Sequence, residues 1–150
     1  MTGFTLTEED AQSDARRAEL WVERFEKLLD LDLPFGKIGI AHLACYLINK
    51  KSDPDYLHTL DLIPDDEMHR LFEKAAKLGM GIELNSCDMR YKDSERDALL
   101  RPYFIAKSEG CKFYCGSDAH TGTELQNLRP WFERGIEDLG LTEDDKFIIK

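Results

Sequence analysis

The chain has 150 residues and a formal net charge of −10, an acidity that argues against general electrostatic binding to nucleic acid or to anionic membrane surfaces. No apolar run approaches the ~20 residues of a membrane span, and the polar, acidic start does not read as a signal peptide. With 42% hydrophobic residues, one domain has enough apolar material for a core of its own. Cys45, Cys87, Cys111 and Cys115 contain no Cys-x-x-Cys pair and lie in or beside apolar runs. Reduced, mostly buried thiols in a cytoplasmic protein are therefore expected.

In chain order, Thr7 followed by Glu8, Glu9 and Asp10 reads as a helix start, with a hydroxyl cap and acids favoured by the dipole. Ala11, Ala15, Ala18, Val22, Phe25 and Leu29 recur at steps of four and three, and Trp21 and Leu28 widen that stripe. The spacing predicts an amphipathic helix laid over a sheet. Leu33-Pro34-Phe35-Gly36 ends this helical leader (1–35), and Lys37 to Ala41 reads as a short buried strand stopping at His42. Leu43 to Asn49 is expected as a short helix, and Lys50 to Asp55 as a polar loop. Ile63-Pro64-Asp65-Asp66-Glu67 opens a further helix with Met68, Leu71, Phe72, Ala75 and Leu78 inward, closed by Gly79. Gly81 to Asn85 is the second strand, Ser86 to Asp97 a polar loop, and Pro102 to Glu109 a third helix stopped by Gly110. Cys111 to Cys115 is the third strand. Gln126, or more firmly Pro130, begins a last helix to Leu139 with Trp131, Phe132 and Ile136 inward, and Lys146 to Ile149 a fourth strand.

Strands alternating with helices predict an α/β fold of parallel βα units over residues 36–150, either an open sheet or part of a barrel. In both, functional groups gather at the C-terminal ends of the strands. Three successive strands end in polar residues: His42, then Glu83 with Asn85, then Asp118 with His120. Because parallel strands share a direction, all five are expected at one mouth. In extended backbone, Asp118 and His120 lean to the same side, and carboxylate with imidazole suits a divalent metal. His69 is expected to form a surface pair with Glu73 one turn on, and His58 to lie in a loop.

The segments Ile38-Gly39-Ile40-Ala41-His42, Gly81-Ile82-Glu83-Leu84-Asn85 and Gly116-Ser117-Asp118-Ala119-His120 resemble the last three motifs of the PHP (polymerase and histidinol phosphatase) family, in order and in spacing. Glu83-x-Asn85 followed by Arg90 and Pro102 is similar to the histidinol phosphatase branch, and the resemblance covers roughly residues 36 to 142. It implies a distorted (β/α)7 barrel that hydrolyses phosphoesters with Zn, Mn or Fe. On that resemblance His42, Asp118 and His120 are metal ligands, and Asp118 and His120 belong to the catalytic machinery. Glu83 and Asn85 support the metal or face the substrate. Arg90 pairs with the phosphate of a small phosphorylated molecule, where a guanidinium fits the oxygens bidentately.

The family also opens with a His-x-His strand and further His and Glu ligands before the position of His42, whereas the first 35 residues here hold no histidine. The chain thus reads as the C-terminal part of such a barrel, with its N-terminal motif strands missing. Two functions follow from the resemblance. One is metal-dependent hydrolysis of a histidinol-phosphate-like phosphomonoester, with the missing ligands supplied by another chain or a homo-oligomer. The other is a non-catalytic or partner-dependent half-barrel that binds at most one metal.

Overall fold

The structure, a computed structural model, describes residues 13–44 and 56–149. Helix α1 runs Asp14–Leu29, with the Ser13 hydroxyl accepting from the Arg16 N–H. The start expected at Thr7 lies outside the described residues, as does nearly all of the helix and loop expected over 43–55. Strand β1 is Gly39–Ile40, helix α2 Tyr56–Asp61, helix α3 Asp65–Leu78 and strand β2 Gly81–Asn85. Helix α4 (Arg96–Ser108), strand β3 (Lys112–Gly116) and helix α5 (Arg129–Leu139) follow.

The strands form a parallel sheet in the order β1-β2-β3, with Gly39 opposite Gly81, Ile82 opposite Phe113 and Asn85 opposite Gly116. The α/β class with parallel strands and intervening helices is thus as expected. Central β2 is buried along its whole length, as a strand covered on both faces must be. β1 is shorter than expected because Phe35–Lys37 coils into a 3-10 turn, with the Ile38 N–H donating to the Phe35 carbonyl. At Gly39 an added Cβ would meet the Tyr114 ring at 2.2 Å, so the missing side chain is what lets that ring lie across the strand.

α1 packs chiefly on α2 and α3, which corrects the expectation of a helix laid on the sheet. Its buried face carries Ala18, Trp21, Phe25 and Leu29, whereas Ala15 is exposed. Trp21 and Phe25 meet edge to face, and Phe72 of α3 completes the cluster at 5.4 Å from Phe25 and 6.2 Å from Trp21. α3 begins behind Pro64 with three acids in its first turn and ends at Gly79 in the left-handed conformation, φ 78°. Met68, Leu71, Phe72 and Ala75 face inward as expected, but Leu78 is exposed.

Three further expectations are corrected. α4 begins six residues before Pro102 and carries that proline inside the helix. An interior proline costs ~3 kcal/mol or more, offset here by the burial of Leu99, Leu100, Tyr103, Ile105 and Ala106 around it. α5 begins at Arg129, but Trp131 and Ile136 are exposed and the helix packs through Gly135 and Leu139. At Gly135 a Cβ would lie 2.2 Å from the Met89 sulfur, so the helix approaches on its smallest residue. The fourth strand reduces to one parallel bridge, Phe113 with Lys146, beyond which Ile148 and Ile149 are exposed. Among the described residues, no helix is long and apolar enough to cross a membrane.

The Phe72→Ala variant removes the ring shared by α1 and α3 and is expected to lose ~3–5 kcal/mol of stability, read as a lower urea midpoint. A loss below ~1 kcal/mol would mean that α1 does not depend on this cluster.

Candidate functional site

The C-terminal ends of β1 and β3 turn sharply. His42 (φ 56°) and Asp118 (φ 50°) both occupy the left-handed region, a conformation that costs a side-chain-bearing residue of order 1–2 kcal/mol. These two turns bring side chains from different strands together: His42 Nε2 lies 3.6 Å from Asp118 Oδ1, and both groups are only partly exposed. Two ligands ~2.1 Å from one tetrahedral ion sit ~3.4 Å apart, so the separation fits a shared cation.

Beneath this pair, β2 supplies the support. Glu83 is 7% exposed and Asn85 fully buried. Glu83 Oε2 accepts from the His42 N–H at 2.9 Å and from the Asn85 amide at 3.1 Å. Its other oxygen lies over Gly116, where a Cβ would stand 1.8 Å from Oε1. Asn85 Oδ1 accepts from the Cys87 N–H at 2.8 Å, which orients the amide so that its nitrogen faces His42 Nδ1 at 3.3 Å. With a donor at Nδ1, the neutral His42 ring carries its proton on Nε2, toward Asp118. Glu83 and Asn85 therefore hold His42 from below.

His120 does not join the pair. The two-residue argument for Asp118 and His120 holds for extended backbone, and the left-handed Asp118 breaks it. The His120 N–H instead donates to the Glu124 carboxylate, which also takes the Thr121 N–H. These backbone donors hold the Glu124 carboxyl below its usual range, with help from the charges of His120 and Arg90. Arg90, exposed at the end of a short 3-10 turn, thus shares the rim with His120 and Glu124. Among the described residues, no group of three His, Cys, Asp or Glu side chains gathers in metal-holding geometry. His58 sits exposed on α2, and His69 Nδ1 pairs with Glu109 at 2.6 Å rather than with Glu73. Of the described cysteines, Cys111 is buried and its thiol pushed up to about 12, while Cys115 is exposed, contrary to expectation.

Asp88 is the residue that sequence reasoning missed. The stretch around Arg90 reads as a polar loop, yet Asp88 is 3% exposed and its neighbours Met89 and Tyr91 are core residues. Its Oδ2 accepts from the Tyr103 hydroxyl of α4 at 2.6 Å and from the Ala44 N–H at 3.4 Å. Burial pushes its carboxyl up to about 6 against these hydrogen bonds and the favourable charge of His42, and Glu83 pushes the same way as burial. The signal available in the sequence was Met89 and Tyr91, apolar residues two apart that flank an exposed arginine.

No family model matches the chain, and no curated protein or solved structure matches it either.

The Asp88 carboxyl yields a pH prediction. Folded, it keeps its proton to about pH 6, whereas an unfolded aspartate releases it near pH 4 (about). Between these values the native state binds the extra proton, so Asp88's contribution falls as pH rises. Asp88→Asn has no such proton to lose. Its stability relative to the parent protein is expected to climb from about pH 4 to pH 6, by up to about 3 kcal/mol, and then level off. Urea midpoints at four pH values check this, and parallel curves would sink it.

Proposed function

We propose that the chain carries part of a PHP-type, metal-dependent phosphoester hydrolase acting on a small, histidinol-phosphate-like phosphomonoester. The observation that supports this reading is the approach of His42 and Asp118 to 3.6 Å from the ends of two different parallel strands. In the proposed site His42 and Asp118 hold one divalent ion (Zn, Mn or Fe), and further ligands come from outside this pair, from another chain or a second copy. The ion supplies Lewis acidity toward the phosphate and a more acidic bound water. The residues of this chain do the rest. Arg90 on the rim takes the phosphate oxygens in a bidentate grip, and His120, two residues past Asp118 on the same rim, gives a proton to the leaving oxygen. Glu83 and Asn85 keep the His42 ring in place from below. The distorted (β/α)7 barrel belongs to the same proposal, with the three parallel strands as one segment of it.

Two observations favour the second reading, a half-barrel that holds at most one metal and turns nothing over. No third ligand gathers among the described residues. In addition, Asn85 presents a donor to Nδ1, the ring atom that carries the proton when Nε2 holds a metal.

Titration with Zn and Mn, followed by assay on histidinol phosphate and p-nitrophenyl phosphate, tests both readings. Under the hydrolase reading the parent protein binds metal and turns over substrate. His42→Ala and Asp118→Asn then lose affinity by about tenfold or more, and Arg90→Ala raises KM by about tenfold. One bound ion with no turnover, alone or with added partner, selects the half-barrel. No bound ion at millimolar metal overturns the hydrolase reading and likewise leaves the half-barrel, which requires none.

A further inference from the structure

Three backbone groups of the 42–44 turn are held by side chains from three other elements. The His42 N–H meets Glu83 at 2.9 Å, the Leu43 carbonyl accepts from the Trp21 indole N–H at 3.0 Å, and the Ala44 N–H meets Asp88 at 3.4 Å. The first two partners have evident reasons to be where they are: Glu83 belongs to the site, and Trp21 belongs to the core of α1. Asp88 is different. It is 3% exposed in a stretch whose Met89 and Tyr91 are also buried, and a buried carboxyl is costly unless its hydrogen bonds compensate. An apolar residue of similar volume would fill the space at lower cost. What such a residue lacks is an acceptor for two donors at once, the Tyr103 hydroxyl of α4 and the Ala44 N–H of the turn.

We propose that Asp88 is a positioning residue: it ties the turn after His42 to α4 through Ala44, and so keeps the left-handed His42 backbone and its imidazole facing Asp118. The inference rests on the proposed metal site only for its consequence, since the positioning itself is present without metal. The strain supports the assignment. A left-handed histidine relaxes toward ordinary backbone unless its surroundings over-determine it, and the Ala44 N–H is met by Asp88 rather than by a strand. Glu83 fixes the turn to β2, Trp21 fixes it to α1, and Asp88 fixes it to α4.

The test separates positioning from general stability. Asp88→Ala removes the acceptor. Asp88→Leu removes it while filling the volume, and serves where the alanine variant does not fold. Asp88→Asn keeps an acceptor oxygen. In each, the His42 Cα and imidazole resonances are recorded by NMR without metal, and Zn affinity is measured by titration. Expected for the alanine and leucine variants are a His42 Cα shift moved toward ordinary backbone and a Zn affinity about 10- to 100-fold weaker. Asp88→Asn is expected to return both to near the parent values. A folded Asp88→Leu protein with parent His42 resonances overturns the proposal, and so does Asp88→Asn behaving like Asp88→Leu. Should the parent bind no Zn, the metal reading fails while the His42 resonances still decide the role of Asp88.

Discussion

Glu83 stands at the middle of the central strand with its carboxylate almost out of water, and the mouth of the sheet is arranged around it. One oxygen takes the backbone N–H of His42 from β1's end and the amide of Asn85 from its own strand. The other lies against the backbone of Gly116 at the end of β3. Three strand ends are thereby referred to one side chain. A buried carboxylate is tolerable only when its lone pairs are met, so the two turns must keep their places for the sheet to close over it. That requirement makes the geometry above it precise. His42 cannot drift far from β2 without taking a donor from the Glu83 carboxylate.

The left-handed backbone at His42 and Asp118 acquires a physical meaning on that basis. Neither residue is a glycine, and each holds a conformation that costs free energy in isolation. A strand continuing in extended form past Ile40 would carry His42 along the strand axis and away from β3. The left-handed turn swings it across the mouth. The same turn at Asp118 comes from the opposite side, so both strained residues aim their side chains at one point. Strain of this kind is repaid by the hydrogen bonds beneath it, from Glu83, Trp21 and Asp88 to the first turn and from Ser86 to the second. The Ser86 hydroxyl donates to the Ser117 carbonyl at 2.7 Å, and its N–H to the Gly116 carbonyl at 3.0 Å.

Much of the architecture was legible because it rests on local rules. The strands at Gly81 and Cys111, the helix opened by Pro64 and closed by Gly79, and the gathering of polar residues at the strand ends follow from periodicity, capping and the direction shared by parallel strands. What escaped depends on tertiary packing. Pro102 reads as a helix start, since helices rarely tolerate an interior proline, yet α4 runs through it because its flanking residues are core. Lys146 to Ile149 reads as a strand from its composition, yet it diverges from β3 after one bridge. The side-by-side placing of Asp118 and His120 assumed extended backbone, and one positive φ undid it. Asp88 was hidden for a related reason: a carboxylate in a polar-looking loop is read as solvated until the burial of Met89 and Tyr91 is seen.

Charge gives the site its direction. Glu83, Asp88 and Asp118 surround one imidazole in a protein that already carries a net charge of −10, and like charges in a poorly solvated mouth repel strongly. Such a cluster relieves itself in a limited number of ways. One is to hold a proton more tightly, and burial raises the Asp88 carboxyl to about 6, so that it ionises only above the ordinary carboxylate range. Another is solvation, which the partly exposed His42 and Asp118 side chains retain at the outer position. The deep carboxyl is shielded from solvent, and the hydrogen bonds from Tyr103 and the Ala44 N–H offset part of that cost. The outer pair keeps part of its surface in water, where charges interact more weakly. The acids of the mouth are thus graded by depth, from the Asp88 carboxyl buried against Tyr103 to the Asp118 side chain partly open to solvent beside His42.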